Sequence, residues 1–174
     1  SVEGGETLGR WSIIASDPLW TIKVRGNLIT RQWRDGHCDE FLGNPFEVLR
    51  KILKPYKSIS LSGLPQLGQL FGMWGYELIQ WIEPTVPVHS RKEQVLPDGV
   101  WMLMDSILIF DQVKRLITAV AYGDLTANQH PHKAFEQALD RIHNLEKCME
   151  KQLPVMKPLR WQEQDITTPR TKRN

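Results

Sequence analysis

The residues Leu19-Trp20-Thr21-Ile22-Lys23-Val24-Arg25, the pair Gly26-Asn27, the run Leu28-Ile29-Thr30-Arg31-Gln32-Trp33-Arg34 and the pair Asp35-Gly36 decide the fold class. Behind the apolar pair Leu19-Trp20, Ile22 and Val24 alternate with Lys23 and Arg25. A period of two sends successive side chains to opposite faces, so this is a half-buried strand. Gly26-Asn27 and Asp35-Gly36 are residue pairs that suit tight hairpin turns. Leu28 to Arg34 therefore reads as the return strand, with Leu28, Thr30, Gln32 and Arg34 on one face. His37 to Leu42 is a short third strand. Three short runs joined by two tight turns predict a β-meander in one antiparallel sheet.

The flanks extend this pattern. Upstream, Arg10-Trp11-Ser12-Ile13-Ile14-Ala15 is rich in β-branched and aromatic residues and reads as a strand. Asp17-Pro18 breaks it, because proline has no amide hydrogen for a ladder. Downstream, Asn44 is a good N-cap, and Pro45 sits at the first helical position, where the missing donor costs nothing. Phe46, Leu49, Ile52 and Leu53 recur at helical spacing until Pro55. Gly68, Gly72 and Gly75 interleave with Leu70, Phe71, Met73 and Trp74, which predicts a short buried strand with close backbone approach or positive φ. It runs into a helix from Tyr76 to Ile82 that ends before Pro84. Residues 83–99, with Pro84, Pro87, Pro97 and Gly99, read as a surface loop.

Trp101 to Phe110 and Leu116 to Tyr122 predict two central strands covered on both faces. A closing helix from Pro131 to Leu153 carries Phe135, Ala138, Leu139, Ile142, Leu145 and Met149 as its apolar stripe. Glu136, Asp140, Arg141, Glu146, Lys147 and Glu150 form its wet face. The fold class is α+β: an antiparallel, sheet-rich domain with helices packed on it.

Composition excludes other classes. The 174 residues suit one domain, which at this size buries roughly 70% of its unfolded surface. A hydrophobic share of 41% with seven Trp and five Phe excludes a disordered chain. With 22 Lys+Arg against 20 Asp+Glu, the net charge of +2 gives little pull toward nucleic acid. No apolar run approaches the ~20 residues of a membrane-spanning helix, and no signal segment is visible. Cys38 and Cys148 cannot build a disulfide framework, so a reducing, cytoplasmic setting is expected. The opening Ser1-Val2-Glu3-Gly4-Gly5-Glu6 and the basic close of Thr167 to Asn174 suggest a piece of a longer chain.

The residues alone name no activity. His130-Pro131-His132 lacks a third ligand nearby, and zinc wants three or four. The glycine stretch 68–75 has no Gly-Lys-Ser/Thr ending for phosphate and no dinucleotide spacing. His37 and Cys38 are adjacent on a strand and face opposite ways, so they cannot pair as base and nucleophile. Asp105 lies inside an apolar strand, where a strand-end hydrogen bond to backbone is the common fate. Lys23, Arg25, Arg31 and Arg34 are interrupted by acids and do not form a nucleic-acid stripe.

Several segments in the right order nevertheless resemble a known family, the N-terminal domain of anthranilate synthase component I, in its cyanobacterial form. Ser1-Val2-Glu3-Gly4-Gly5-Glu6 followed by Gly9-Arg10-Trp11-Ser12-Ile13-Ile14 resembles the family's opening E-S-V-E-G-G-E…G-R-Y-S-F-I-G. Asp17-Pro18, Asn44-Pro45-Phe46 with Leu49, and Leu70-Phe71-Gly72-Met73-Trp74-Gly75-Tyr76-Glu77-Leu78 with Glu83-Pro84 follow in order. Leu96-Pro97-Asp98 and Ile109-Phe110-Asp111 complete the set. The resemblance runs from Ser1 to about Leu153, so residues 1–153 are expected to be this domain. Residues 154–174 are then a linker toward a C-terminal chorismate-binding domain.

The resemblance implies the N-terminal part of a two-domain α/β sandwich enzyme. The family turns chorismate and ammonia into anthranilate and pyruvate with Mg2+, in tryptophan biosynthesis. A glutamine amidotransferase subunit supplies the ammonia, and L-tryptophan is the feedback inhibitor. The chorismate and magnesium sites belong to the C-terminal domain, so no catalytic residue is expected here. By resemblance, Ser1 lines the tryptophan pocket, and Arg10 and Trp11 lie near it. Phe71, Met73 and Trp74 are the expected docking face for the C-terminal domain. Three departures stand out: the Leu-Leu-Glu before the matching Ser is absent, Ala15 replaces a Gly, and Gln69 replaces another Gly. The related aminodeoxychorismate synthase component I shares the domain, and a stand-alone tryptophan-sensing module is the non-enzyme alternative.

Overall fold

The computed structural model describes residues 9–57, 60–65, 69–87, 96–125 and 130–152. Ser1, Gly68, residues 88–95 of the expected 83–99 loop and the expected linker 154–174 lie outside the described residues. The strands are β1 (Trp11–Ile14), β2 (Trp20–Arg25), β3 (Leu28–Trp33), β4 (Cys38–Leu42), β5 (Leu70–Trp74), β6 (Gly99–Leu103), β7 (Ser106–Asp111) and β8 (Leu116–Ala121). The helices are α1 (Pro45–Leu53) and α2 (Pro131–Glu150), with a 3-10 turn over Tyr76–Trp81.

The strands form two antiparallel sheets, ordered β4-β3-β2-β6-β5 and β1-β7-β8. The meander is present as expected: β2 pairs with β3 from Trp20↔Trp33 to Arg25↔Leu28, and β3 pairs with β4. Gly26 and Gly36 take φ of +58° and +93° at the two turns, angles that favour glycine. β1 joins the other sheet through β7, because the chain turns sharply at Asp17 (φ 56°) and Pro18 before β2 begins. Trp20, Ile22 and Val24 are fully buried on one face of β2. With Ile29, Leu49, Ile52, Leu78, Trp101 and Leu103 they make the main core. Each such side chain contributes about 1.5–3 kcal/mol of transfer free energy. α1 covers this face, with the Asn44 side chain accepting a hydrogen bond from the Phe46 amide at 2.9 Å.

Four expectations change. The run 101–110 is not one strand. It splits at Met104-Asp105 into β6 of the large sheet and β7 of the small one. The Met104 amide donates to the Gln69 carbonyl and the Tyr122 amide to the Asp105 carbonyl, so one residue closes each ladder. Both halves are apolar, so periodicity cannot reveal the corner. Second, β8 is an edge strand, with Leu116 and Ile117 more than half exposed. Third, the stretch Tyr76–Trp81 winds as a 3-10 turn rather than an α-helix; its N-cap is Gly75, which offers no capping side chain.

Fourth, α2 ends at Glu150 and buries Ala134 and Ala138, not the heavier stripe. Phe135 is 61% exposed, and Leu139 and Met149 are also exposed. The cause is close approach. A Cβ placed on Gly123 would lie 3.3 Å from the Ala134 carbonyl oxygen, so the contact line runs along the helix's smallest residues. No helix among the described residues is long and apolar enough to cross a membrane.

Gly72 and Gly75 are explained by approach rather than by φ. Neither Gly72 nor Gly75 has positive φ. A Cβ on Gly72 would sit 2.2 Å from the Val100 carbonyl oxygen and 2.5 Å from Trp101 Cδ1. A Cβ on Gly99 would sit 2.6 Å from Trp101 Cη2. The two glycines clear the space in which the buried Trp101 indole lies.

Candidate functional site

Arg10 precedes β1 and Trp11 is its first residue, where the chain enters the small sheet. The Arg10 guanidinium meets Asp111 on β7 in a two-pronged pair, Nε to Oδ1 at 3.1 Å and Nη2 to Oδ2 at 2.7 Å. Its Cζ lies 4.4 Å from the Trp11 ring centroid, a cation–π contact. The structure thus brings Arg10 and Trp11 together around Asp111, a partner that motif reading missed. The signal was present: Asp111 follows Ile107 and Ile109 at a spacing of two and shares their buried face. The Arg10 hydrogen bonds, followed by those from the Lys114 and Val113 amides, hold the Asp111 carboxyl down at about 2.

A second buried carboxylate organises the corner between the sheets. Asp105 accepts from Arg34 Nη1 and Nη2, both at 2.9 Å, and pairs with Arg141 Nε of α2 at 3.0 Å. The Asp105 carboxylate, expected to bond to backbone at a strand end, instead holds two arginines from distant elements. The hydrogen bond with Asp105 also raises the pKa of Arg34, which further pairs with Asp17 at 3.1 Å. Tyr122, beside this corner, has its phenol pKa raised by burial.

A cleft of about 330 Å³ opens next to Asp105, lined by Leu19, Tyr56, Lys57, Leu103, Tyr122 and Asp124 among others. An aromatic cluster forms at the end of β5 with α1 and β6. Trp74 stacks on Phe46 at 4.6 Å and meets Trp101 edge-on at 4.4 Å. Met73 and Trp74 are half exposed, whereas Phe71 packs against the core of the small sheet. The other candidates are structural. His130 caps α2, with Nδ1 accepting from the His132 amide, and His132 pairs with Glu136. Arg31 is bound to Asp39, whose carboxyl is held below its ordinary value by the Trp33 indole N–H and by Arg31. Among the described residues no group of three or more His, Cys, Asp or Glu could hold a metal ion.

Comparison with known proteins adds the following. No family model matches the chain. It is 44% identical over 157 residues to anthranilate synthase component 1 of Synechocystis sp., covering 89% of this chain and 30% of that protein. It is 33% identical over 148 residues to anthranilate synthase component 1 of Acetivibrio thermocellus, covering 83% and 29%. A crystal structure of anthranilate synthase component I from Streptococcus pneumoniae TIGR4 superimposes with a TM-score of 0.56 at 22% identity, over 84% of this chain and 32% of that one. That likeness shows the fold. The chain spans about 30% of the length of the curated relatives it matches.

Proposed function

Because the chain is a homologue of part of anthranilate synthase component I, we propose that it is the N-terminal, non-catalytic part of such an enzyme. The reaction is the conversion of chorismate and glutamine-derived ammonia to anthranilate and pyruvate. The observation that carries this reading is the 44% identity over 89% of the chain against a relative of which that match fills only 30%. The geometry supports it. Asp98, Asp105 and Asp111 are the buried charged groups among the described residues, and each is held by donors of the protein itself. In this reading, as the family resemblance implies, the Mg2+ site lies in the remaining polypeptide. The working partners in this reading are that polypeptide and a glutamine amidotransferase subunit.

The same reading places tryptophan feedback at the corner where β1 begins. Arg10 is bound by Asp111 and sits over the Trp11 ring, so its role in this reading is to shape the pocket wall rather than to grip a ligand carboxylate. Ser1 would complete that wall. The test is to express the full-length reading frame in a strain lacking anthranilate synthase component I. Growth without tryptophan, and anthranilate formed from chorismate and ammonia, are expected. Aminodeoxychorismate as product would move the chain to the folate-pathway relative, and no product at all would refute the enzyme reading. In the active enzyme, Trp11→Ala should raise the tryptophan concentration needed for inhibition with chorismate turnover kept. An unchanged inhibition curve would remove Arg10 and Trp11 from the pocket.

A further inference from the structure

We propose that the cleft beside Asp105 binds a small ring carboxylate, held by the Lys57 ammonium and the phenol hydroxyls of Tyr56 and Tyr122. The cleft measures about 330 Å³, at the small end of the range of about 300–1,000 Å³ for small-molecule sites. That suits a single ring with one short substituent. Leu19, Leu103 and Met104, where β2 begins and β6 ends, supply apolar lining. Tyr56 and Lys57 come from the chain after α1, and Tyr122 from the chain after β8. Trp11 pairs with Asp111 at one end of β7, whereas Asp105 precedes the other end. The cleft is therefore separate from the corner assigned above to tryptophan.

The polar groups left open in the cleft are mostly donors. The Trp20 indole N–H donates to the Tyr56 oxygen at 3.3 Å, and the Tyr56 proton has no acceptor among the described residues. The Tyr122 hydroxyl makes no hydrogen bond to them either, and burial raises its pKa, so it keeps its proton at neutral pH. A partly buried donor without a partner is costly, and a ligand oxygen would recover that cost. Lys57 is exposed and forms no ion pair among the described residues. The acids of the lining are already engaged, Asp105 by Arg34 and Arg141, and Asp124 by an interaction of its own. The Gln69 amide, also in the lining, can donate or accept. No Asp or Glu occurs from Val48 to Tyr76, a stretch that carries Arg50, Lys51, Lys54 and Lys57. Donors and positive charge beside an apolar lining select an anion with an apolar body. A carboxylate accepts from one ammonium and two hydroxyls through charge-assisted hydrogen bonds, whereas an amine would meet carboxylates that are already bound.

The test is NMR of the full-length protein labelled with carbon-13 at tyrosine Cζ. The Tyr56 and Tyr122 resonances are identified by their loss in Tyr56→Phe and Tyr122→Phe. Benzoate and anthranilate are the probes, with benzylamine as the cationic counterpart. Saturable shifts of both resonances with either carboxylate, and none with benzylamine, are the expected result. Lys57→Met should weaken that binding about 10-fold or more, and Tyr122→Phe, which keeps the ring, about 3–10-fold as read at Tyr56. Equal affinities would assign the site to ring carboxylates in general, and tighter anthranilate binding would assign it to the product of the proposed reaction. Unmoved tyrosine resonances, shifts of the same size with benzylamine, or an affinity unchanged in Lys57→Met would each overturn the proposal. The enzyme reading stands or falls separately, on anthranilate formation in the assay described above.

Discussion

Replacing Gly72 with alanine puts the close contact of β5 and β6 to a quantitative test. The added methyl would fall 2.2 Å from the Val100 carbonyl oxygen and 2.5 Å from Trp101 Cδ1. Ordinary carbon contacts lie at about 3.5–4.0 Å, so more than an ångström must be found. One of the opposing atoms is backbone in a paired strand and cannot swing away. The other belongs to an indole that is 3% exposed and wedged against Trp74. Overpacking of this kind costs about 1–3 kcal/mol, and the rigid neighbours put Gly72→Ala near the top of that range. Loss of glycine's extra freedom in the unfolded chain returns roughly 0.5–1 kcal/mol. The net loss is about 2 kcal/mol, or roughly 4–8 °C in melting temperature for a chain of this size. Thermal denaturation with near-ultraviolet circular dichroism reads both the loss and the displaced Trp101. Gly36→Ala is the control: its Cβ meets no atom within 4 Å, so only its φ of +93° is strained and the tryptophan signal stays put. A melting temperature within about 1 °C of the parent for Gly72→Ala, with an unchanged aromatic spectrum, would refute the packing argument.

Three further outcomes follow from the buried groups. Asp105→Asn should cost about 2–3 kcal/mol in urea unfolding, below the range for a fully buried pair because Arg34 and Arg141 can reach water; a loss under about 0.5 kcal/mol would show that the corner does not need the charge. Asp111 has a folded pKa of about 2, below its ordinary 3.8, so its contribution is complete above 3.8 and fades as pH falls toward 2. Asp111→Asn should flatten that acid limb, and Arg10→Ala should move the Asp111 titration, read by carboxyl NMR, up toward its ordinary value. Phe135→Ser should change the stability of this chain by less than about 0.5 kcal/mol, since the ring is exposed, whereas Ala138→Leu should cost about 1–3 kcal/mol by pushing α2 off the sheet.

The meander was legible because local rules decide it. Period two in β2 and glycine at each turn leave one register, and Trp20, Ile22 and Val24 fall on the buried face. The α1 cap was legible for the same reason. The corner at Asp105 was not, because both sides of it are apolar and only residues 71 positions before it and 36 after it reveal its function. The α2 stripe misled because periodicity counts apolar residues without weighing how near a small one lets the helix come. Motif order singles out Arg10 and Trp11, while Asp111, which holds Arg10, is 101 residues away. Long-range ion pairs leave only a one-residue trace in sequence: an acid at an inward position.

That trace bears on what the described residues can do. A catalytic carboxylate must keep an oxygen lone pair, or a proton, available to a substrate. Both Asp111 oxygens accept from Arg10, and one also accepts from two backbone amides. Asp105 is bound at both oxygens by two arginines. A carboxyl held near 2 is a poor base at neutral pH, because proton transfer is most effective when the pKa lies near the working pH. These acids tie β1 to β7, β3 to the β6–β7 corner, and α2 to the small sheet. Asp111 is spent inside the small sheet, and Asp105 on the corner where the two sheets meet.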